Sequence, residues 1–328
     1  MCTAISFGEG LFGRTLDYEI SFGERVLAVP RGIFPIGESR NRYSIIGIGI
    51  EDEESGTPLY FDGMNEWGLS AAALNFPGLA VYHKGGTEGR NTADGRLDAP
   101  AGALISYVLG LCRDVEEART ALSNIDVTDA PSANNMPAPP LHWIISDARA
   151  SITVESVSDG LKIYDNQVGV LTNGPEFPYH MTRLADYMHF GPDRPKNRFA
   201  KTELSVYSRG MGAIGLPGDF SSSSRFVRAC FVNEHTRAAK KGSARERVVR
   251  AFHVLSSVSV PLGCIISDEG HPVSTLYTSV ADAETLTYYF TTYGCPSIRA
   301  VRLTDSILNG ETIRSFELCS DANIQALN

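Results

Sequence analysis

Met1-Cys2-Thr3-Ala4-Ile5-Ser6-Phe7 opens the chain. Methionine aminopeptidase removes an initiator methionine that precedes a side chain as small as cysteine, which would leave Cys2 with a free α-amine. One residue then carries a nucleophile and a base. A free α-amine titrates near about pH 8 and a free thiol near about 8.5, so around neutrality the amine can take the thiol's proton directly or through a water. Thr3, Ile5 and Phe7 alternate with smaller residues as far as Gly8-Glu9-Gly10, which predicts a strand closed by a turn. The expectation is a nucleophile at the head of a strand. By itself a Met-Cys start is weak, because an intracellular cysteine is more often a small buried hydrophobe.

Leu11-Phe12-Gly13-Arg14-Thr15-Leu16-Asp17-Tyr18 reads as the returning strand, antiparallel to the first. Arg14 and Asp17 stand out in it. An edge strand with solvated charges is the competing account, but so short a turn brings both charges back beside Cys2. Further strands are expected at 25–30, 43–50, 59–69 and 70–75. Ile46-Gly47-Ile48-Gly49-Ile50 lacks a following amphipathic helix and a phosphate-loop lysine, so it predicts a closely packed strand. The small residues Ser70 to Ala73 suit a strand crowded on both faces, ending at Asn75 ahead of Pro77.

Asp98 and Pro100 are expected to open a helix with Leu104, Ile105, Val108, Leu109 and Cys112 on its apolar stripe. Asp114 with Glu117 starts a second. The Pro- and Asn-rich stretch 129–140 is a long loop of the kind that often carries function. Four strands follow between 141 and 171, the last leading into Thr172-Asn173-Gly174-Pro175. A helix is expected at 179–187, then a glycine-rich loop (207–219). Ser221 to Ser224 cap a helix beginning near Arg225, with Phe226, Val227, Cys230 and Phe231 inward. Ser243 and Glu246 start another, and strands return at 275–281, 285–291 and 298–303.

Hydrophobic residues make up 43% of the 328 and charged residues 20%, which places the chain with ordinary globular proteins rather than disordered ones. A net charge of −9 argues against general affinity for nucleic acid or anionic membranes. No charged and apolar leader opens the chain and no long apolar run follows, so export and membrane spanning are not expected and a cytoplasmic location is. The cysteines (Cys2, Cys112, Cys230, Cys264, Cys295, Cys319) show no metal-ligand spacing and are expected as reduced thiols, Cys112 and Cys230 in the core. With no linker or repeat, residues 1–328 predict one α+β domain of two stacked sheets flanked by helices, the mature chain running 2–328.

Met1-Cys2-Thr3-Ala4, Phe12-Gly13-Arg14-Thr15-Leu16-Asp17-Tyr18, Asp62-Gly63-Met64-Asn65-Glu66, Leu74-Asn75-Phe76-Pro77, Leu141-His142-Trp143, Gly169-Val170-Leu171-Thr172-Asn173 and Gly215-Leu216-Pro217-Gly218-Asp219 with Ser224-Arg225-Phe226-Val227-Arg228 occur in order along nearly the whole chain. Together they resemble the choloylglycine hydrolase family of bile salt hydrolases and penicillin V acylases. The resemblance implies the N-terminal-nucleophile fold, a four-layer αββα sandwich with mainly antiparallel sheets. It also implies no metal or organic cofactor, and a homo-oligomer, commonly a homotetramer. It casts Cys2 as the nucleophile and its α-amine as proton acceptor and then donor. Arg14 would favour the thiolate, and Asp17 would accept a hydrogen bond from the α-ammonium. Asn75 and Asn173 would form the oxyanion hole, and Arg225 would complete the charged network.

Asn75 in an Asn-Phe-Pro context looks more like the bile salt hydrolases of Gram-positive gut bacteria. The resemblance therefore implies cleavage of glycine- and taurine-conjugated bile acids. A penicillin V acylase-type amidase, acyl transfer to a free amine and an inactive protein of the same fold are the alternatives. Ile20, Phe22, Phe61, Met136 and Pro137 could cover a steroid face or receive a phenoxymethyl group. Ser208 and Arg209 stand where many bile salt hydrolases have Gly-x-Gly, and their donors suit a taurine sulfonate.

Overall fold

The hairpin expected at the start of the chain forms, with Cys2–Gly8 and Leu11–Tyr18 as its strands. Cys2 lies opposite Leu16 and Ala4 opposite Arg14. Gly8, Glu9 and Gly10 all have positive φ (74°, 53° and 77°). Two of these three left-handed positions are glycines, where the conformation carries no Cβ penalty, and this keeps the turn tight. A computed structural model of the chain describes residues 1–52, 56–85, 96–131, 137–199, 201–237, 242–322 and 324–327.

The hairpin belongs to a mainly antiparallel sheet ordered Val170–Leu171, Cys2–Gly8, Leu11–Tyr18, Pro272–Asp282, Thr287–Thr292, Arg299–Arg302, with Ile265–Ile266 pairing on the long Pro272–Asp282 strand. The second sheet runs Gly160–Asp165, Ser151–Val157, Leu141–Ser146, Ser70–Asn75, Pro58–Asn65, Ile45–Glu51, Arg25–Val29, Arg314–Phe316. Both faces of its central strands are buried, and the two faces alternate residue by residue. Val26, Ala28, Ile46, Ile48, Met64, Ala72, Leu74 and Ile144 belong to the core shared with the first sheet. Leu27, Val29, Ile45, Leu59, Ala71, Ala73, Trp143 and Ile145 belong to a second core on the outer face.

Helices complete four layers. α1 (Leu104–Leu111) and α2 (Val115–Leu122) pack on the outer face of the second sheet. α3 (Phe177–Leu184), α4 (Ser222–Arg237) and α5 (Ala244–Ser256) form the opposite layer, where α4 and α5 pack on the first sheet, and a short α6 (Asp305–Leu308) lies near the chain's end. Each fully buried Leu, Ile or Phe in these layers contributes about 1.5–3 kcal/mol. Gly47 and Gly49 explain the glycine-spaced strand. A Cβ on Gly47 would sit 2.1 Å from the Asp62 carbonyl oxygen, and one on Gly49 2.3 Å from that of Leu59.

Several boundaries differ from expectation. Asp98 and Pro100 do not open α1; they lie in a strand, Leu97–Pro100, paired in parallel with Ile125–Thr128, and Ala101–Ala103 form a 3-10 turn before the helix. α4 begins at Ser222, so Arg225 sits inside its first turn. Ser243 and Glu246 form the full capping box at α5. Cys112 is buried, which pushes its thiol up to about 12, while Cys230 is only partly enclosed. Among the described residues no helix is long and apolar enough to cross a membrane.

Candidate active site

Strand alternation decides where the hairpin's side chains go. Ser6 receives a hydrogen bond from Ser146 of the second sheet, so the even positions of the first strand face the space between the sheets. Cys2 shares that face and Thr3 the opposite one, where Arg225 of α4 reaches its hydroxyl at 2.7 Å. From the second strand Arg14 also points between the sheets. Its Nη1 donates to the carbonyls of Phe61 and Ala73, both at 2.9 Å, and its Nε to that of Thr15 at 3.2 Å. The guanidinium is fully buried, yet its Nη2 has no partner. Burial alone would lower its pKa, but Cys2, Tyr277, Asp62 and Asp17 outweigh that and raise it. Arg14 is thus a fixed cation with donor capacity left over, beside the candidate nucleophile.

Asp62, which the sequence reading quoted in a motif without giving it a role, supports that cation from the second sheet. Its carboxylate lies 4.0 Å from Arg14 Nε. It accepts hydrogen bonds from Tyr277 (2.6 Å), Ser279 (2.7 Å) and Tyr288 (2.5 Å), all on the first sheet. Burial pushes its carboxyl up, against the pull of Arg14 and the three hydroxyls. The cluster also pins the sheets together, since every donor to Asp62 crosses the gap between them.

Asn173, just past the Val170–Leu171 strand, is the hub on the other side of Cys2. Its Oδ1 accepts from the Cys2 nitrogen at 3.0 Å and from Arg225 at 2.6 Å. Its Nδ2 donates to the Asn75 carbonyl at 2.7 Å, which joins the two expected oxyanion residues. The Asn173 main chain is held in turn. Ser222 at the start of α4 accepts from its N–H, and His180 of α3 sits 2.9 Å from its carbonyl. Burial lowers the His180 pKa, which favours a neutral ring donating through Nε2. His142 reaches the neighbouring Thr172 carbonyl at 2.9 Å and Glu155 at 3.1 Å, all three buried. Neither His142, Glu155, His180 nor Ser222 was given a role from the sequence. A charge interrupting an apolar strand, as Glu155 does in Ser151–Val157, was the available signal.

Arg225 is fully buried and fully used. It donates to Asn173, to Thr3, to the carbonyl of Phe220 at 3.0 Å and to the carbonyl of Cys2. Burial lowers its pKa, while Asp17 and Cys2 pull it back. Asp17 is held by hydroxyls of its own sheet. Its carboxylate accepts from Thr275 at 2.6 Å and Thr15 at 3.3 Å. Its main chain binds Met1, whose ammonium donates to the Asp17 carbonyl at 2.5 Å and whose carbonyl accepts from the Asp17 N–H at 2.9 Å. With Met1 in place, the acceptor facing the Cys2 nitrogen is Asn173.

Cys2, Arg14 and Asn75 line one side of a cavity of about 220 Å³, whose remaining walls are largely apolar and include Tyr18, Leu59, Tyr60 and Leu141. Phe22, Phe61 and Pro137 line it as expected. Tyr18, Phe22 and Phe61 form a run of rings with centroids 4.9 and 5.5 Å apart. Tyr60 turns its hydroxyl away to the Leu27 carbonyl, leaving its ring as wall. Ile20 is exposed and is not among the lining residues, and Met136 lies outside the described residues. Ser208 and Arg209 are exposed on the loop before α4, away from the cavity lining.

This sandwich, with a cysteine heading an inner strand between two sheets, is the N-terminal-nucleophile architecture. Residues 2–316 match the family of linear amide C–N hydrolases, choloylglycine hydrolase family, and the chain belongs to that family. It is similar to the bile salt hydrolase/transferase of Lactiplantibacillus plantarum, with 40% identity over 337 residues and 100% of both chains covered. The solved structure of a mutant conjugated bile acid hydrolase from Clostridium perfringens superposes with a TM-score of 0.89 at 31% identity, again over 100% of both chains. Penicillin V acylase from Agrobacterium tumefaciens shares the fold, with a TM-score of 0.72 at 23% identity over 96% of this chain and 90% of that one.

Proposed function

We propose that this chain is a bile salt hydrolase that cleaves the amide of glycine- and taurine-conjugated bile acids through a thioester on Cys2. The observation that carries the reading is the union, in one cavity, of Cys2 and Arg14 with a long apolar wall. An amphipathic acyl group can lie along that wall with its scissile carbonyl at the sulfur. Similarity over full length to a bile salt hydrolase/transferase supports the substrate class.

In this account Met1 is removed and the Cys2 nitrogen, placed by Asn173, accepts the thiol proton. The sulfur attacks the amide carbonyl. Arg14 stabilises the thiolate, and the carbonyl oxygen of the tetrahedral intermediate takes hydrogens from Asn75 and from the second N–H of Asn173 Nδ2. One such donor is worth about 2.7–4 kcal/mol in the transition state. The Cys2 ammonium returns its proton to the departing glycine or taurine, and water, or a second amine, then attacks the thioester. Asp17 accepts a hydrogen bond from the free Cys2 ammonium and orients it. Ser208 and Arg209, exposed and outside the cavity lining, could meet only the protruding end of the leaving group, and the ratio of tauro- to glyco-deoxycholate turnover in Arg209→Gly measures whether they bias sulfonate against carboxylate. We further propose a soluble homotetramer acting in the cytoplasm.

The test is a panel of glyco- and tauro-conjugated bile acids beside penicillin V, with released amine as the readout. Turnover of the conjugates well above that of penicillin V supports the reading. Preferential cleavage of penicillin V would reassign the cavity to a phenoxyacetyl group.

A further inference from the structure

Two cysteines outside the active site meet at one edge of the sandwich. The first sheet's Thr287–Thr292 strand runs into Tyr293-Gly294-Cys295, and the second sheet's edge strand, Arg314–Phe316, runs into Glu317-Leu318-Cys319. One hydroxyl bridges the two segments: Thr292 Oγ1 accepts from the Cys295 N–H at 3.0 Å and donates to the Cys319 carbonyl at 2.5 Å. The approach is close, because a Cβ on Gly294 would sit 2.3 Å from the Ser320 carbonyl oxygen. The Cys295, Cys319 and Arg299 side chains meet closely enough to influence one another electrostatically, and the Cys319 thiol donates to the Asp321 carbonyl at 3.4 Å. Cys295 is buried and Cys319 partly exposed. Both are free thiols.

We propose that Cys295 and Cys319 form a redox-modification site, a dithiol that peroxide converts into a disulfide joining the two sheets. The sulfur of the more exposed Cys319 attacks a peroxide oxygen. The O–O bond breaks, leaving a sulfenic acid on Cys319 and one water. The Cys295 sulfur then attacks the Cys319 sulfur, the S–O bond breaks, and a second water departs with the remaining protons. In sum, two thiols and one hydrogen peroxide give one disulfide and two waters; the sulfur pair loses two electrons and the peroxide gains them. The neighbouring Cys319 and then Arg299 hold the pKa of Cys295, the sulfur that attacks the sulfenic acid, below that of an ordinary thiol.

The bond would lock a particular place. Beside Cys319 a hollow of about 440 Å³ separates the terminal segment from Ser21, Gly23, Glu24 and Arg25. Arg25 also pairs with Glu317 at 2.5 Å. The Ser21–Arg25 loop carries Phe22, which walls the substrate cavity. A disulfide here closes residues 295–319 into a loop and removes disorder from the unfolded chain.

The experiment treats the full chain with dilute hydrogen peroxide, alkylates remaining thiols, and maps the digest by tandem mass spectrometry, with Cys319→Ser and Cys319→Ala as controls. The expected product is a Cys295–Cys319 cross-linked peptide pair, with Cys264 still alkylated. It is accompanied by a rise of roughly 4 °C in Tm that dithiothreitol reverses and both variants lack. Recovery of Cys295 and Cys319 each singly alkylated or singly oxidised, or a cross-link that involves Cys264 instead, would overturn the proposal.

Discussion

The nitrogen of Cys2 donates to Asn173 Oδ1 across 3.0 Å, and Arg225 fixes the same oxygen from the other side at 2.6 Å. The position of the nitrogen is therefore set by a residue just past the neighbouring edge strand of the first sheet and by a buried cation on α4. Once Met1 leaves, that nitrogen becomes an amine already oriented beside its own thiol.

Blocking the amine should abolish chemistry without disturbing the fold. A chain carrying an uncleaved N-terminal tag is expected to keep its Tm within a few degrees and lose more than about 100-fold in kcat, the scale of general acid–base catalysis. A C-terminal tag should leave turnover intact. Equal rates for the two tagged proteins would mean that the base is another group.

Asn173→Ala removes the proposed oxyanion donor and the acceptor for both Cys2 and Arg225. A fall in kcat of about 10²–10³-fold is expected, with a smaller change in KM. Ser222→Ala, which loosens the Asn173 main chain and the Thr172 hydroxyl but leaves the Asn173 side chain, should fall between this variant and the parent. Steady-state kinetics on one conjugated bile acid rank the three.

Asp62→Asn tests the cluster between the sheets. Three hydroxyl donors and the nearby Arg14 are arranged around a fully buried carboxylate. Removing the charge leaves Arg14 poorly compensated, so a loss of about 3 kcal/mol or more in unfolding free energy is expected. Urea denaturation measures it, and a loss below about 1 kcal/mol would mean that Asp62 is already neutral in the native state.

Acid should act on the start of α4 through Asp219. Its carboxylate accepts from the Ser224 hydroxyl at 2.6 Å and the Ser221 N–H at 2.9 Å, and the Ser221 side chain, then the Ser224 hydroxyl and the Ser221 N–H, hold its pKa down at about 2. A depressed native pKa stabilises the fold above the unfolded value. That contribution is lost as pH falls from the ordinary carboxylate range through about 2. Asp219→Asn should therefore have a lower Tm than the parent at pH 6, with the gap closing as pH is lowered toward 2. A gap independent of pH would remove the charge from the account.

The hairpin, the glycine-spaced strand and the α5 capping box were legible because each rests on local rules of alternation, steric contact or side-chain capping. Cys2, Arg14, Asp17, Asn75, Asn173 and Arg225 were legible as a candidate set through the family's motifs; the structure puts Cys2, Arg14 and Asn75 on one cavity and ties Asn173 and Arg225 to Cys2 by hydrogen bonds. Asp62, His142 and Glu155 could not be given roles, since each acts through a partner far away in sequence; Tyr277 and Tyr288 reach Asp62 from residues 215 and 226 positions on. The Leu97–Pro100 strand was misread because Asp98 and Pro100 also suit a helix start, and only its partner Ile125–Thr128 decides the matter. The Thr275 and Thr15 hydroxyls that bind the Asp17 carboxylate were not legible, since Thr275 lies 258 residues further along the chain.

The central claim is that Cys2, as the first residue of the mature chain, carries the acyl group. Acid-quenching the enzyme during turnover of a taurine- or glycine-conjugated bile acid and sequencing its N-terminal peptide by mass spectrometry tests this directly. The account predicts a peptide that begins at Cys2 and bears the bile acyl group on sulfur, and no such adduct in Cys2→Ala. Full turnover by a chain that retains Met1, or an acyl group on any other residue, would contradict it.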